Sequence, residues 1–585
     1  MSQQEYKLKD IASFASLSSD KVEAEVEGIE EGKVLLIKLG DKVHAISPRC
    51  SHYGAPLKNG VVTGDGRITC PWHGGEFSSH TTYADDYLGS WNERYRAKDK
   101  KLTAYIYTAC FNVATGDVED APAPNALNKF EVFEKNDGVY IHAREEDVKA
   151  GQRNPVFNCK VSKPDEHVVV IGGGSGTLGL IQSLREQKYP GAITVISKEP
   201  YLIIDRTKLS KALISDPTKI QWRPREWYAE AAIETVTDEV TAVDFNQKSV
   251  STKSGKSLSY TKLVLATGGV PRSLPLQGFK GDLGNVFTLR GIKDVEAILS
   301  AVGETKRNVV IIGSSFIGME VGVALSKNHN VTIVGMESAP MERVMGAQVG
   351  RIFRSNLEKA GITFHLDANV SHATASPSDT KNVGAVHLKD GTALPADVVI
   401  QGVGVRPGTD FLRDNPAVTL EKDGSLRTDA HFLVPGLQDS VFAIGDIATY
   451  PYFGPGSDAG GTPVRIEHWN VAQNAGRAAA RAIVHAQRGP LSSLKPKTFI
   501  PVFWSALGSQ LRYCGNPVHG FDDVILREQG EAKFVAFYTA GETVVAVSTM
   551  GVDPVMSKSA ELMRAGKMPG KKEVLGGVDI LSVPL

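Results

Sequence analysis

His167-Val-Val-Val-Ile-Gly172-Gly173-Gly174-Ser175-Gly176-Thr177 is the stretch that decides the fold. Its apolar run is typical of a buried parallel strand, and the glycines that follow permit a tight turn. They also let the backbone approach a pyrophosphate at the N-terminus of the next helix. A second apolar strand, residues 192–197, delivers Glu199 at 27 residues after Gly172, near the roughly 20-residue spacing of a ribose-binding carboxylate. We therefore predict a dinucleotide-binding unit that uses Gly172, Gly174 and Glu199.

The pattern occurs a second time. Asn308-Val-Val-Ile-Ile-Gly313-Ser314-Ser315-Phe316-Ile317-Gly318 repeats the strand, turn and helix, with Glu320 just inside the helix. This predicts a second nucleotide-binding unit with Gly313 and Gly318 at its turn. Its next strand, residues 331–334, is followed by Gly335 where a ribose-binding carboxylate usually stands, and Glu337 comes two residues later. We favour NADH through Glu337, and the choice between NADH and NADPH stays open.

The N-terminal region contains Cys50-Ser51-His52 and then Cys70-Pro71-Trp72-His73. C-x-H followed by C-x-x-H is the ligand pattern of a Rieske [2Fe–2S] centre, in which two thiolates hold one iron and two imidazoles the other. The glycines and prolines around these residues favour that centre, and a zinc site is the alternative. We predict Cys50, His52, Cys70 and His73 as cluster ligands. Because imidazoles lie at the outer end of such a cluster, we expect them to form a histidine-edged surface.

Two further motifs, Ala266-Thr267-Gly268-Gly269 and Val441-Phe-Ala-Ile-Gly445-Asp446, complete a resemblance to flavoproteins with two dinucleotide-binding domains. The resemblance implies that the first unit binds FAD and that the inserted second unit binds NAD(P)H. It places Asp446 at the ribityl chain of FAD. It also assigns four further residues to FAD binding, namely Arg206, Val240, Thr267 and Gly268.

Asp205-Arg206-Thr207-Lys208-Leu209-Ser210-Lys211 is similar to the segment near the flavin in oxygenase-coupled ferredoxin reductases and apoptosis-inducing-factor-like proteins. That resemblance puts Lys211 beside the flavin, where it would pair with Glu320. The alternative for Lys211 is a surface helix lysine. Trp469 would begin a helix that abuts the flavin, so Lys211, Glu320 and Trp469 are the candidate catalytic residues. His468 is expected to pack or hydrogen-bond, since hydride transfer needs no protein base.

The positions of the cysteines distinguish this chain from the disulfide reductases among these flavoproteins. No cysteine lies between Cys159 and Cys514, so the closely spaced pair of disulfide reductases is missing. With the cluster motif in front, nearly the whole chain resembles the Rieske-containing, apoptosis-inducing-factor-like branch. No mononuclear-iron motif of an oxygenase is recognised, so the final electron acceptor must be another molecule. The resemblance also leaves a competing hypothesis, a redox-responsive signalling or interaction protein whose NADH oxidation is incidental.

The composition argues against a nucleic-acid-binding, a membrane-spanning or a disulfide-rich protein. The 585 residues carry 65 basic and 66 acidic side chains, a net charge of −1, which does not indicate nucleic acid as a partner. We expect no transmembrane segment, because apolar runs are short. Five scattered cysteines do not form a disulfide framework. With no recognisable targeting segment at Met1, we expect a cytoplasmic protein, and its oligomeric state is not readable.

Residues 76–109 are anomalous. A Rieske domain usually continues from C-P-W-H-G almost directly into Cys-Phe, which here arrives only at Cys110-Phe111. Removal of the segment restores a compact motif, and its codons permit splice signals. We therefore hypothesise a retained in-frame intron, with a real surface loop, cheap in closure entropy, as the alternative.

Together these motifs predict a multidomain fold: an all-β Rieske domain, two α/β Rossmann-like domains with the NAD domain inserted in the FAD domain, and a C-terminal α+β interface domain. We expect the Rieske domain at 1–143, a linker at 144–165, the FAD domain at 166–300 and 429–490, the NAD(P)H domain at 301–428, and the interface domain at 491–585. The predicted function is an oxidoreductase that passes electrons from NAD(P)H through FAD to the cluster and then to an unknown acceptor.

Overall fold

The computed structural model describes residues 3–71, 109–155, 159–507, 509–530 and 532–585. Trp72, His73 and the anomalous segment up to residue 108 lie outside the described residues, so the intron hypothesis and the fourth cluster ligand remain predictions. Within the described ranges, no helix is long and apolar enough to cross a membrane.

The described part of the N-terminal β unit, residues 3–71 and 109–143, contains two antiparallel sheets. A six-stranded sheet has the order β1-β10-β9-β4-β3-β2, and a four-stranded sheet has the order β5-β6-β7-β8. The strands are β1 (Gln4–Lys7), β2 (Lys21–Glu25), β3 (Lys33–Leu39), β4 (Lys42–Ile46), β5 (Val61–Val62), β6 (Arg67–Thr69), β7 (Cys110–Asn112), β8 (Val118–Asp120), β9 (Lys129–Lys135) and β10 (Gly138–Ala143).

Strand β3 departs from the alternation of apolar and polar positions expected for this unit. Leu35 and Ile37 enter one apolar cluster, whereas Val34 and Leu36 enter another on the opposite face. Both faces of β3 are therefore covered, so four consecutive apolar residues are buried. Strand β10 does alternate, since Val139 and Ile141 are buried.

The first α/β unit follows. Its five-stranded parallel sheet has the order β13-β12-β11-β17-β29. Its elements up to residue 271 are α1 (Glu145–Ala150), β11 (Lys163–Ile171), α2 (Ser175–Glu186), β12 (Gly191–Ser197), α3 (Thr207–Lys211), α4 (Arg225–Glu230), β13 (Ile233–Thr237), β14 (Val240–Asp244), β15 (Ser249–Thr252), β16 (Ser257–Ser259), β17 (Lys262–Leu265) and β18 (Gly269–Pro271).

The segment predicted as a linker, 144–165, instead contains helix α1 and the first residues of β11. Three acidic residues in the first turn of α1 stabilise its N-terminal end, and Lys149 pairs with Glu145 at 2.6 Å. Gly151, at φ 65°, ends the helix in the left-handed conformation. The described residues of this connection, 144–155 and 159–165, therefore include regular structure.

The second α/β unit carries its own five-stranded parallel sheet in the order β19-β26-β20-β21-β22. Its elements are β19 (Val286–Phe287), α5 (Ile292–Val302), β20 (Asn308–Ile312), α6 (Phe316–Ser326), β21 (Asn330–Val334), α7 (Glu342–Lys359), β22 (Ile362–His365), β23 (Val370–Ser376), β24 (Asp379–Leu388), β25 (Ala393–Pro395), β26 (Val398–Gln401) and β27 (Val405–Pro407).

After this unit the chain returns to the first sheet, because β29 (Val441–Ala443) pairs with β17. The second unit is therefore an insertion into the first. The returning elements are β28 (Leu426–Arg427), β29, β30 (Ala448–Tyr452), β31 (Thr462–Val464) and α8 (Trp469–Ala486).

Helices α2 and α8 approach each other through glycines. A Cβ at Gly179 would lie 2.2 Å from the Gln473 carbonyl oxygen, and one at Gly476 would lie 2.1 Å from the Gly176 carbonyl oxygen. Only glycine fits such a contact. It holds the N-terminus of α8 beside the glycine turn that begins α2.

The C-terminal unit is a five-stranded antiparallel sheet, β32-β33-β36-β35-β34, with two helices. Its elements are β32 (Val502–Ala506), β33 (Gln510–Gly515), β34 (Asp523–Glu528), β35 (Phe534–Ala540), β36 (Thr543–Met550), α9 (Val555–Arg564) and α10 (Lys571–Leu575). One face of this sheet shares an apolar core with the second α/β unit. The predicted fold class is confirmed.

Candidate active site

The glycine turn of the first α/β unit lies at the carboxyl end of its parallel sheet. Gly172 has φ 116°, and a Cβ there would lie 2.1 Å from the Ala266 carbonyl oxygen. Gly174 caps α2 and faces open space. The Thr177 hydroxyl donates to the Gly172 carbonyl at 2.6 Å, which fixes the turn. The result is an open cradle at a helix N-terminus, which fits a pyrophosphate.

Glu199 follows β12 and belongs to a small polar cluster. It forms an ion pair with Arg206 and accepts a hydrogen bond from the Tyr201 hydroxyl at 2.8 Å. Burial opposes ionisation, but the Arg206 charge outweighs it and holds the pKa of Glu199 below its usual range. Val240 begins β14, in the separate three-stranded sheet β14-β15-β16, and is partly buried. The structure thus brings Glu199 and Arg206 together, where a ribose could be held, and the role of Val240 stays a prediction.

Asp446 lies at the same sheet edge, in a turn after β29. Its Oδ2 accepts hydrogen bonds from the Gly269 N–H and from an Arg290 Nη, each at 3.0 Å. Gly268 has φ 69°, and a Cβ there would lie 2.7 Å from Arg290. The Thr267 hydroxyl is buried and has no hydrogen-bond partner among the described residues. The structure therefore brings Thr267, Gly268 and Asp446 together, with polar atoms available to a ligand.

Lys211 and Glu320 form the expected pair. Lys211 Nζ lies 2.8 Å from Glu320 Oε1, and the two side chains are 6% and 4% exposed. The Ser210 and Ser505 hydroxyls each donate to the Glu320 carboxylate at 2.6 Å. A buried charge pair needs such additional hydrogen bonds. Trp504 adds its ring face, 5.3 Å from Lys211 Nζ. Sequence reasoning assigned no role to Ser505 or Trp504, which lie in the C-terminal unit.

His468 and Trp469 stand at the N-terminus of α8. His468 Nδ1 accepts from the Asn470 N–H at 3.3 Å, and its ring lies 5.7 Å from that of Phe503. Burial, aided by the Lys211 charge, lowers the pKa of His468 to about 3. The imidazole is therefore neutral at physiological pH. It caps the helix and packs, as expected, while the Trp469 ring lies 5.3 Å from the ring of Trp222.

The second glycine turn has the same construction as the first. Gly313 has φ 107°, and a Cβ there would lie 2.4 Å from the Gly402 carbonyl oxygen. Ser315 caps α6 by accepting from the Gly318 N–H. Glu337 pairs with Arg343 at 2.9 Å, a partner that the sequence analysis did not identify. The ribose end of this unit therefore carries both a carboxylate and an exposed guanidinium.

Three of the four predicted cluster ligands lie within the described residues, whereas His73 does not. The Cys50 and Cys70 side chains are buried in one apolar cluster. Burial raises the pKa of the Cys50 thiol, but hydrogen bonds from Cys70 and from the His52 and Tyr53 amides outweigh it, so the pKa is lowered. Converging thiols with backbone donors suit iron ligation.

Cys110 differs from these two thiols. Burial raises its pKa to about 12, and it accepts a weak hydrogen bond from the Thr69 hydroxyl. The neighbouring Cys70 N–H donates to the Ala109 carbonyl at 2.8 Å. This bond holds Cys70, which precedes the anomalous segment, beside the last residue of that segment. Burial thus disfavours the thiolate form of Cys110, which is buried together with the adjacent Phe111.

The His52 imidazole faces the first α/β unit. Its centroid lies 6.1 Å from the Trp222 ring, with 22° between the planes, and both ring nitrogens are buried. His52 is partly buried and its ring faces the first α/β unit, because the N-terminal β unit packs with this ligand against the rest of the chain. The sequence contained no signal for this packing. The predicted histidine-edged surface also needs His73, which lies outside the described residues, and so stays a prediction.

The N-terminal β unit is held from the other side by the C-terminal unit. The Ser557 hydroxyl donates to the Cys70 carbonyl at 3.2 Å, and the Thr69 hydroxyl donates to Glu561 at 2.8 Å. Nearby, the Arg512 side chain is 2% exposed and pairs with Asp553 at 2.5 Å. Burial lowers the pKa of Arg512 to about 10, against the opposing charges of Asp553 and Cys70. These contacts were not predicted.

The comparisons with known proteins agree with this arrangement. The sequence profile of the pyridine nucleotide-disulphide oxidoreductases matches residues 166–476, and that of the Rieske [2Fe-2S] domain matches residues 8–86. The chain belongs to the pyridine nucleotide-disulphide oxidoreductase family. It is 34% identical over 554 residues to apoptosis-inducing factor 3 of Homo sapiens, with 93% of this chain and 82% of that protein covered. This places it in the Rieske-containing, apoptosis-inducing-factor-like branch.

Other family members are reductases. The benzene 1,2-dioxygenase system ferredoxin–NAD(+) reductase subunit of Pseudomonas putida is 30% identical over 62% of this chain and 83% of its own length. The covalent putidaredoxin reductase–putidaredoxin complex has a TM-score of 0.64 at 27% identity, covering 72% of this chain and 98% of that chain. This chain is therefore an NAD(P)H-dependent electron-transfer protein. Its pyridine nucleotide oxidoreductase domain uses FAD, and its Rieske domain uses a [2Fe–2S] cluster. The glycine cradles and the paired thiols fit those groups.

Proposed function

We propose that this protein is a self-contained NAD(P)H oxidoreductase, in which electrons pass from NAD(P)H through FAD to a Rieske cluster and on to a separate acceptor. One observation carries the proposal. The N-terminal β unit is docked so that the His52 ring faces Trp222, and the Trp222 ring in turn contacts Trp469. FAD supplies two-electron hydride acceptance and one-electron release, and the cluster supplies one-electron acceptance.

The residues of the chain have defined tasks in this proposal. The turns at Gly172 and Gly313 hold the two dinucleotides by their phosphates. Asp446 and the Thr267 hydroxyl orient the ribityl side of FAD, and Lys211 presents a positive charge to the ring. Glu320 keeps that charge fixed and compensated inside the protein.

The predicted division of the chain is part of this proposal. The Rieske domain takes 1–143, the FAD domain 166–300 and 429–490, the NAD(P)H domain 301–428 and the interface domain 491–585. None of the five cysteines, all of which lie within the described residues, forms a disulfide, which is compatible with the reducing, cytoplasmic environment that we propose. The acceptor is a one-electron carrier or oxidant, since the cluster delivers electrons singly.

Anaerobic titration with NADH, followed by absorption and EPR spectroscopy, tests the proposal. We expect the flavin absorbance to bleach and a Rieske EPR signal to appear in the same sample. A His73→Ala variant is the control, because it should lose the cluster signal and retain bound flavin. A wild-type flavin that is reduced while the cluster stays oxidised would contradict the proposed function.

The similarity to human apoptosis-inducing factor 3 over 93% of the chain supports a second candidate, a redox-responsive signalling protein. In that case oxidation of NADH with ferricyanide or a cytochrome as acceptor should be sluggish, and a long-lived charge-transfer absorbance should persist. Rapid turnover without that absorbance would count against the signalling function.

The anomalous segment bears on cluster assembly. If residues 75–109 derive from a retained intron, their replacement by a single alanine should raise iron and sulfide content and stability in air. Sequencing of the transcript over codons 70–115 is the direct check. Equal cluster occupancy in the two proteins, together with transcripts that keep the segment, would identify it as a tolerated surface loop.

A further inference from the structure

We propose that Trp222 is the bridge through which electrons cross from the flavin side of the first α/β unit to the cluster ligand His52. The inference rests on the proposed function and names a residue that none of the sequence motifs contains. Its basis is a row of three rings, in which Trp222 lies 5.3 Å from Trp469 and 6.1 Å from His52.

The backbone holds Trp222 firmly in this position. The Trp222 N–H donates to the Ile203 carbonyl at 2.9 Å, and the preceding Gln221 bridges Ile204. On the other side, Arg223 donates to Asn125 Oδ1 at 2.8 Å and to the Pro124 carbonyl, both in the N-terminal β unit. Residues 221–223 are therefore fixed to both units at once, and Trp222 stands at their junction.

The orientation of the Trp222 ring supports the same role. Its plane is inclined by 31° to that of Trp469 and by 22° to that of His52. The indole therefore places an extended π-system between the two other rings, which a leucine side chain at this position would not do.

The electron balance is simple. One electron leaves the reduced flavin, one ferric iron of the cluster becomes ferrous, and no bond forms or breaks at Trp222. The indole mediates by orbital overlap and is not itself oxidised. Each NAD(P)H gives two electrons, so the transfer occurs twice, a one-electron acceptor is reduced twice, and one proton is released to solvent.

Rapid mixing of the whole protein with NADH tests this bridge, with flavin reduction followed by absorbance and cluster reduction by freeze-quench EPR. For Trp222→Leu we expect flavin reduction and iron content to stay at wild-type levels. Cluster reduction should slow, because the substitution removes the ring that lies between Trp469 and His52. Trp222→Phe should lie between wild type and Trp222→Leu.

Matched controls separate the bridge from docking. Trp227→Leu removes a neighbouring tryptophan that is not one of the three rings; its indole donates to the Pro155 carbonyl at 3.2 Å and its ring lies 5.4 Å from the Arg223 guanidinium. This control therefore reports the loss of packing around Arg223 with the three rings retained, and cluster reduction should stay close to wild type. Amide exchange of Ala121, whose N–H donates to Asn474 across the interface at 2.9 Å, reports whether the N-terminal β unit remains docked. A slow Trp222→Leu variant with intact protection supports the bridge.

Three outcomes would overturn the inference or its basis. Equal cluster-reduction rates in wild type and Trp222→Leu would overturn the bridge and leave the proposed function standing. A slow Trp222→Leu variant with lost protection of the Ala121 amide would assign Trp222 to docking instead. A wild-type cluster that NADH does not reduce would overturn the proposed function itself.

Discussion

Removal of the Glu561 carboxylate should release the N-terminal β unit from the C-terminal unit. Glu561 lies on α9 and is 5% exposed. It accepts from the Thr69 hydroxyl at 2.8 Å, pairs with Arg564 at 2.7 Å, and lies 3.7 Å from Arg67. Glu561→Ala deletes all three interactions, whereas Arg67 keeps its second partner, Asp120.

The size of the effect follows from burial. A buried hydrogen bond to a carboxylate contributes about 2 kcal/mol. The Glu561–Arg564 pair lies within α9 and does not join the two units, and Arg564 keeps its own contact with Asp65 across the interface. The screened Arg67 contact does cross the interface and adds about 0.5 kcal/mol. The docking free energy should therefore fall by about 2.5 kcal/mol, which raises the undocked population roughly seventyfold.

Hydrogen–deuterium exchange measures this population directly. The Ala121 N–H donates to the Asn474 side chain across the interface at 2.9 Å, so its exchange requires undocking and should be roughly seventyfold faster in Glu561→Ala. Glu573→Ala is the control, since the Glu573 carboxylate accepts from the Gly570 N–H at the start of α10, away from this interface. Unchanged exchange of the Ala121 amide, or equal acceleration of the amides inside the β6–β7 ladder, would refute the reasoning.

Three further predictions concern charged groups. Glu320→Leu leaves Lys211 buried without its carboxylate and should lower the free energy of unfolding by about 3–5 kcal/mol. The Lys211→Met/Glu320→Leu double variant should recover much of that loss, because no buried charge is then left unpaired. Urea unfolding of the two variants is the measurement, and a double variant as unstable as the single one would contradict the prediction. Asp446→Ala should lower the flavin content of the purified protein and leave iron and sulfide unchanged, so full flavin occupancy would remove Asp446 from the site. Burial opposes ionisation of Asp120, but the charges of Lys497 and Arg67 outweigh it and depress the pKa of this carboxyl in the folded protein. The Asp120 carboxylate therefore stabilises docking fully above about pH 4, its ordinary pKa. That contribution is lost as the pH falls through the depressed pKa of the folded state. Lys497→Met should move the loss to higher pH, followed by tryptophan fluorescence, and an unchanged acid profile would argue against the role of Lys497.

Much of the fold could be predicted because local chemistry dictates it. Gly172 and Gly313 occupy backbone positions that only glycine fits, so a parallel strand followed by glycines predicts each turn. The Lys211–Glu320 pair was predicted through the family resemblance, and the structure contains it. The roles assigned to the site residues remain predictions, since no ligand contact tests them.

The contacts between units could not be predicted, because no local pattern encodes them. Thr69 and Glu561 are 492 positions apart in the chain, and Trp222 belongs to no recognised motif. Even Arg343, six positions from Glu337, was missed, because the path of the loop between them is a tertiary property. Burial of both faces of β3 likewise depends on which units pack around it.

The docked position of the N-terminal β unit changes what limits the overall reaction. Separate reductase and ferredoxin chains must meet by diffusion, and their encounter is steered by charge and weakened by salt. Here the two redox centres share one chain and one fixed interface, so on the proposed route their effective concentration is set by the fold. Dilution or added salt should leave the internal transfer unchanged. The concentration and salt dependence of turnover would then describe only the meeting with the external acceptor, and so offers a way to characterise that acceptor before its identity is known.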